Sequence, residues 1–330
     1  MMVGSRLAAC LGEDEATVDR AVAGVITALA RAAAETGALL ARVTPNGAGG
    51  SSPQDLPGMV AAGFARALRE ASVAALAQRG AAPEALDPSA PIAAAVSALD
   101  GAANLAGNMP AGSIVSLRPA GPDAFSCPGR AQVAAGVVTY GPRTEFALAL
   151  GGRTRVFTLD PAEGEFRLSR EAVTIPLTSP RYAVDAAQAR FWEAPMRAFV
   201  DDCLRGAEGP RGQDFTMSWC ASLAAGAQRV LAQGGVHLSP GETRRGGTNG
   251  PTLLLHEAQA VALVIEAAGG AATDGRDAPI LDLPVLDPHQ CTPFVFGSAE
   301  EVACVGKYHD GRRHSAGRSP LFGQRGLLRA

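Results

Sequence analysis

The sequence predicts an α/β protein with an α+β, layered arrangement, and three observations carry that prediction. Apolar side chains recur at helical spacing near the N-terminus, alternate as in strands through the middle, and form strand-then-helix units towards the end. Val18, Val22, Val25, Ile26, Leu29, Ala33 and Leu39 set a helix within residues 15–42. Residues 46–57 are dense in Gly, Ser and Pro and read as a loop or mobile connection. A second helix is expected over 57–78, followed by an irregular stretch at 80–91 holding Pro83, Pro88 and Pro91. Residues 92–99 are short, apolar and bounded by turn signals, which predicts a buried strand ending at Asp100-Gly101; a second apolar run follows at 113–117. From 131 to 175 the alternation is strand-like, with turns at Gly141-Pro142, Gly151-Gly152 and Asp160-Pro161. Amphipathic helices are expected at 191–205 and at 217–233, the latter closed by Gly234-Gly235. A strand at 252–255 runs into a helix at 257–268, and a short strand at 294–296 precedes a last helix at 299–308. The tail from Asp310, including His309 and His314 around its start, carries weak structure signals, and no internal repeat is evident.

Composition narrows the function classes. The chain has 330 residues, 47% hydrophobic and 18% charged, with a formal net charge of -3. That length suggests two domains or one large one, with room for a sizeable core. The near-neutral balance argues against a nucleic-acid binder, and the hydrophobic fraction against disorder. The best candidate for a membrane span, residues 252–268, is interrupted by His256, Glu257, Gln259 and Glu266, so no membrane partner is expected. The first 14 residues lack the basic-then-apolar order of a signal peptide. Six scattered cysteines without a C-x-x-C pair read as free thiols in a reducing compartment, which predicts a cytoplasmic protein.

Local motifs are weak. There is no Walker loop, nucleophile elbow, H-E-x-x-H or zinc-type spacing. Asp100-Gly101-Ala102-Ala103-Asn104 is the most informative stretch. An acidic residue at a strand end, followed by small residues and a helix start, can hold a cation beside exposed backbone N–H groups, the arrangement that binds a metal-bridged phosphate. The same residues also suit an ordinary strand-to-helix turn with Asp100 as its cap. Glu257, after Leu253-Leu254-Leu255, suits either a helix N-terminal charge or a metal ligand.

Taken together and in order, several blocks resemble the class 1 fructose-1,6-bisphosphatase family over nearly the whole chain. Leu99-Asp100-Gly101-Ala102-Ala103-Asn104 with Gly112-Ser113-Ile114 is similar to the family's D-P-L-D-G-S-S-N and V-G-T-I. Ala134-Ala135-Gly136 to Tyr140-Gly141 resembles A-A-G-Y-x-x-Y-G. Phe157-Thr158-Leu159-Asp160-Pro161 with Gly164-Glu165-Phe166 resembles F-x-L-D-P-x-x-G-E-F. Tyr182-Ala183-Val184-Asp185 with Phe191-Trp192-Glu193 is similar to the bacterial Y-A-I-N and F-W-E. Residues 254–270 resemble the L-L-Y-E…I-I-E-x-A-G-G helix, His289-Gln290 with Gly297-Ser298 matches H-Q…G-S, and Ser319-Pro320-Leu321-Phe322-Gly323 is similar to the proteobacterial tail.

The resemblance implies alternating layers of helix and sheet, a homotetramer, a place in carbohydrate metabolism (gluconeogenesis or the Calvin cycle), and Mg²⁺-assisted hydrolysis of the 1-phosphate of fructose 1,6-bisphosphate. It implies an N-terminal sugar-phosphatase domain over 1–180, with the metal-site turn at 97–104, and a C-terminal α/β domain over 181–330 that completes the cleft. The metal ligands it carries over are Asp100, Glu257 and the Leu99 carbonyl, with Asp100 and Glu257 as the catalytic pair. The substrate-binding positions are Gly101, Ala102, Ala103, Asn104, Asp185, Trp219 and Arg229.

The family's charged groups are thinned out at many matching positions. The first Asp of D-P-L-D is Ser97, the paired glutamates after the preceding strand fall on Ala81 and Ala82, and the Asp of K-x-L-D-V falls on Gly58. Glu84 and Asp87 replace that pair only if the loop slips by several residues. The Arg-Tyr pair is Ser218-Trp219, the Tyr of F-L-Y-P is Ser239, and the Lys and Arg before the acidic ligand are Pro251 and Leu253. The Asn that donates to the 6-phosphate is Asp185. Arg229 remains, but the Asp and His before it are Gly226 and Gln228. Each lost charge-assisted hydrogen bond weakens ligand binding by about 1.5–3 kcal/mol.

Three expectations follow. The chain is a phosphoric-monoester hydrolase by resemblance whose catalysis is impaired or lost, acting as a binding or regulatory partner that assembles with an active relative. Alternatively it is a working sugar phosphatase with a single-metal site of Asp100, Glu257 and Glu84 or Asp87, and with Arg244, Arg245 or Arg229 on the phosphate. The third is an unrelated nucleotide or metabolite binder of similar architecture.

Overall fold

The computed structural model describes residues 2–13, 20–42, 55–245 and 249–311. The Gly/Ser/Pro segment up to residue 54, His314 and the Ser319-to-Gly323 block lie outside the described residues. Three helices come first: α1 (Leu7–Glu13), α2 (Arg20–Leu40) and α3 (Leu56–Glu70). An eight-stranded sheet follows, from β1 (Ala75–Gln78), β2 (Glu84–Ala85), β3 (Ile92–Asp100), β4 (Ala111–Pro119), β5 (Ala134–Tyr140), β6 (Thr144–Leu150), β7 (Arg153–Asp160) and β8 (Glu165–Arg170), in the order β2-β1-β3-β4-β5-β6-β7-β8. The second half holds β9 (Arg181–Ala183), α4 (Ala194–Leu204), β10 (Thr216–Met217), α5 (Leu223–Gln233), β11 (Val236–Ser239), β12 (Thr252–Leu253), α6 (Gln259–Glu266), β13 (Ala271–Thr273), β14 (Cys291–Thr292), β15 (Phe294–Gly297) and α7 (Ala299–His309). Its five-stranded sheet runs β10-β9-β11-β15-β13, and β12 pairs with β14 apart from it.

The period-two alternation of the strands sorts their side chains into layers. Ala94 and Val96 of β3 pack with α1, α2 and α3 through Leu11, Ile26, Leu29 and Phe64. Ala95 of β3 and Val137 of β5 point the other way, against α5 and α6. Phe294 and Phe296 of β15 close that inner layer from the five-stranded sheet, while Val295 faces α4 and α7 on its far side. The result is helix, sheet, helix, sheet, helix.

Several expectations change. The helix expected over 57–78 ends at Glu70; Ser72 takes a left-handed φ of 54°, and Ala75–Gln78 becomes β1, parallel to β3. An Ala-rich run satisfies both periodicities, and burial of Leu76 and Ala77 on opposite faces of the sheet decides for strand. The helix expected from 217 begins only at Leu223, where the Ser222 hydroxyl accepts from the Ala225 N–H. The strand expected at 252–255 stops at Leu253; Leu254–Ala258 form one wide helical turn before α6. His309 belongs to α7 and not to a tail, with its Nδ1 3.8 Å from Glu193. Helix α2, with 21 residues, is long and apolar enough to cross a membrane by composition, unlike the 252–268 run. Its Val22, Val25, Ile26 and Leu29 pack into the core, as a core helix would. No disulfide joins any of the six cysteines, and Cys10, Cys203 and Cys304 are buried.

Candidate active-site cleft

Asp100 ends β3 where the chain must turn sharply. Gly101 takes φ 72°, and a Cβ there would stand 2.7 Å from the Ser222 Cβ, so only glycine allows both the turn and the approach of α5. The turn at Ala102–Gly107 follows with Gly101, not Asp100, at its cap. The Asp100 carboxylate instead reaches across to another helix: Oδ2 accepts from Ser222 Oγ at 2.7 Å and from the Ala224 N–H at 2.9 Å. It therefore sits against the positive N-terminal end of α5. Burial pushes its pKa above the ordinary carboxylate range, against the pull of those two hydrogen bonds and of Arg79.

Glu257 lies in the wide turn before α6, and its Oε2 accepts from the Leu253 N–H at 3.1 Å. Oε1 accepts from Ser97 Oγ at 3.3 Å and from Arg79 Nη1 at 2.9 Å. Arg79 directly follows β1, and its backbone N–H is held by the Val96 carbonyl at 2.9 Å. The β1–β3 register therefore delivers the guanidinium to the carboxylates. Burial raises the Glu257 pKa most, the Asp100 charge raises it further, and Arg79 is the largest influence lowering it.

These groups face a cleft of about 320 Å³. Trp219, half-exposed, stacks near His237, which in turn stacks on Phe296 with ring centroids 4.8 Å apart. Burial, reinforced by Arg229, lowers the His237 pKa to about 3, so the ring is neutral. Asp185 caps the turn at Ala186–Phe191 through the Ala187 N–H. Arg244 donates to Glu242 from Nε at 2.6 Å and lies 4.5 Å above the Phe191 ring.

The cleft thus brings together Asp100, Glu257, Asp185, Trp219, Ser239, Pro251 and Arg244 from the sequence reading. Arg229 does not line it; its guanidinium donates to the Gly234 and Val236 carbonyls. Leu99, Gly101, Ala102, Ala103 and Asn104 form the wall behind Asp100 without lining the cavity, and the Asn104 amide donates to the Pro110 carbonyl. Glu84 pairs with Arg69 at 2.7 Å and Asp87 with Ser89, so neither approaches Asp100 as a replacement ligand. The side chain of Arg245 lies outside the described residues. Sequence reasoning missed Arg79, Ser222, His237 and Glu242. For Arg79 the available signal is the Arg79-Gly80 pair closing a short apolar run whose spacing also suits a helix.

A divalent cation does not fit this arrangement. Mg²⁺ needs carboxylate oxygens and waters in near-octahedral order. Here Asp100 and Glu257 already accept from a hydroxyl, backbone N–H groups and a guanidinium. Among the described residues no three His, Cys, Asp or Glu side chains gather where they could hold a metal ion.

Comparison with known proteins agrees with the layered fold. Residues 86–171 match the family model of the fructose-1-6-bisphosphatase N-terminal domain, and 175–310 that of its C-terminal domain. A fructose-1,6-bisphosphatase class 1 of Methylobacterium sp. (strain 4-46) is 66% identical over 331 residues, covering 100% of both chains. One of Rhodopseudomonas palustris (strain HaA2) is 40% identical, with 98% of each chain covered. The crystal structure of Leishmania major fructose-1,6-bisphosphatase in holo form superposes with a TM-score of 0.86 at 24% identity, over 94% of this chain and 100% of that one, a likeness of fold.

Proposed function

The chain belongs to the fructose-1,6-bisphosphatase family, and from that premise we propose that its cleft takes a sugar bisphosphate while hydrolysis of the 1-phosphate is impaired. The observation that carries this reading is the Arg79–Glu257 ion pair, with the other buried carboxylates of the cleft, Asp100 and Glu242, engaged by Ser222 and the start of α5 and by Arg244. A metal-assisted phosphatase needs carboxylates free to hold cations that neutralise the phosphate and activate water. Here Glu257 is neutralised by a side chain, and Asp100 is engaged at the start of α5. What the residues can still do is bind and orient. Trp219 offers a flat face to a sugar ring, the neutral His237 supports it from beneath, and Arg79 and Arg244 supply the positive charge. Ser222 and the first turn of α5 hold the Asp100 carboxylate still. This reading carries with it a cytoplasmic homotetramer of two halves, 1–180 and 181–330, that mixes with an active relative.

A second reading is an ordinary fructose-1,6-bisphosphatase, favoured by the 66% identity over the whole length with a relative of that name. Phosphate release from fructose 1,6-bisphosphate at high Mg²⁺, beside an Asp100→Asn control, separates the two. The first reading expects no release above the control. Metal-dependent release that vanishes in Asp100→Asn establishes the second.

A further inference from the structure

We propose that the Arg79 guanidinium is a built-in cation that replaces the divalent ion in this cleft, so that an anionic sugar phosphate binds without metal. The inference rests on the reading of the cleft as a sugar-phosphate site. It starts from placement. Arg79 stands at the end of β1, its backbone tied to Val96 of β3, and its side chain enters the cleft that Asp100 and Glu257 line.

Its chemistry fits the part. Nη1 lies 2.9 Å from Glu257 Oε1, and the positive charge acts on both carboxylates. A guanidinium carries five N–H donors in a planar fork that matches a phosphate bidentately, and it is always charged. Among the described residues the Arg79 side chain donates only to Glu257, and it remains 49% exposed towards the cleft. Donors are therefore left to meet a ligand. The other cleft arginine, Arg244, is already committed to Glu242 through two nitrogens. Ser97 and the Leu253 N–H satisfy the rest of Glu257, so the carboxylate holds the guanidinium in place as an orienting counter-charge. A cation competing for Glu257 would have to displace a tethered side chain that never dilutes away.

The test is calorimetric titration of fructose 1,6-bisphosphate into the full chain, in EDTA and in Mg²⁺, for the wild type, Arg79→Gln and Arg79→Lys. The expected result is equal wild-type affinity in both buffers, a loss of tenfold or more in Arg79→Gln, and an intermediate loss in Arg79→Lys, which keeps the charge without the fork. Binding that requires Mg²⁺, or an Arg79→Gln affinity equal to wild type, overturns the role of Arg79 and leaves the cleft reading standing. No binding in either buffer overturns the cleft reading itself. Should a variant fail to fold, the EDTA and Mg²⁺ comparison on the wild type decides alone.

Discussion

His237 gives the cleft an acid-sensitive support. The ring lies 2% exposed, stacked on Phe296 and below Trp219, and a Cβ on Gly226 would come within 2.5 Å of its Nδ1. Protonation puts a buried charge near the like charge of Arg229, and burial first, then Arg229, holds the folded pKa down to about 3. The unfolded chain, with its histidine at about 6.5, therefore binds more protons through this window. Stability from the neutral ring is complete above the unfolded value and is lost as pH falls below it. Between pH 7 and pH 5 the linkage removes about 2 kcal/mol, or about 3 °C of Tm in a chain of this length. His237→Phe keeps a stacked ring without a titrating group. Its packing cost is the same at both pH values and cancels in the difference. His256, held down to about 4 mainly by burial, adds the same slope to both proteins and also cancels. Thermal melts at pH 7 and pH 5 should show the variant losing about 3 °C less than the wild type. Equal losses in the two proteins would refute the account of His237 as a neutral, buried support.

Further outcomes follow from packing in the layers on either side of the five-stranded sheet. Arg211 and Glu301 form a pair 2.5 Å apart with side chains 5% and 3% exposed, between the Phe199 and Phe215 rings. Glu301→Gln should cost about 3–5 kcal/mol in a denaturant titration, and Arg211→Met with Glu301→Leu markedly less, because the double change leaves no unpaired buried charge. Gly112→Ala puts a methyl 2.3 Å from the Ala224 Cβ and 2.4 Å from the Val138 carbonyl, so about 1–3 kcal/mol of stability should be lost as α5 is forced off β4. Ser222→Ala removes both the α5 cap and a donor to Asp100; a loss of about 1–2 kcal/mol is expected, and a denaturation midpoint equal to wild type would contradict that double role.

The elements legible in the sequence are those in which one periodicity is enforced along the whole segment. The strands from Ile92–Asp100 to Glu165–Arg170 announce themselves first as apolar runs at 92–99 and 113–117 and then by alternation from 131, with Gly, Pro and Asp turns between them. Helix α7 reads clearly from its acidic start and basic end. Short segments buried on both faces do not separate by pattern. β1 reads as a continuation of the preceding helix, β11, between Gly234-Gly235 and Pro240-Gly241, is only four residues long and too short to show a period, and the wide turn at Leu254–Ala258 follows an apolar run equally good for strand or helix. Their conformations are decided by partners more than a dozen residues away.

The same limit explains the site. Asp100 and Glu257 stood out because an acid beside an apolar run is locally conspicuous, and the fold does bring them into one cleft. Their surroundings were not legible. The donors that occupy Asp100 come from Ser222 and Ala224, 122 and 124 residues further on, and the cation on Glu257 comes from Arg79, 178 residues earlier by the numbering (257 − 79). The departures expected at Ser97, Ala81 and Ala82 can be counted position by position, whereas an arginine delivered by the fold has no fixed position to be looked for. A position-by-position count of carboxylates therefore speaks to the acids expected in the cleft and not to the cation beside them. The geometry adds a tethered cation where two acids of the cleft meet: Arg79 Nη1 lies 2.9 Å from Glu257 Oε1, and its charge also acts on Asp100. Fewer acids and a tethered guanidinium act in the same electrostatic direction, and on the proposed reading both favour a phosphate in the cleft.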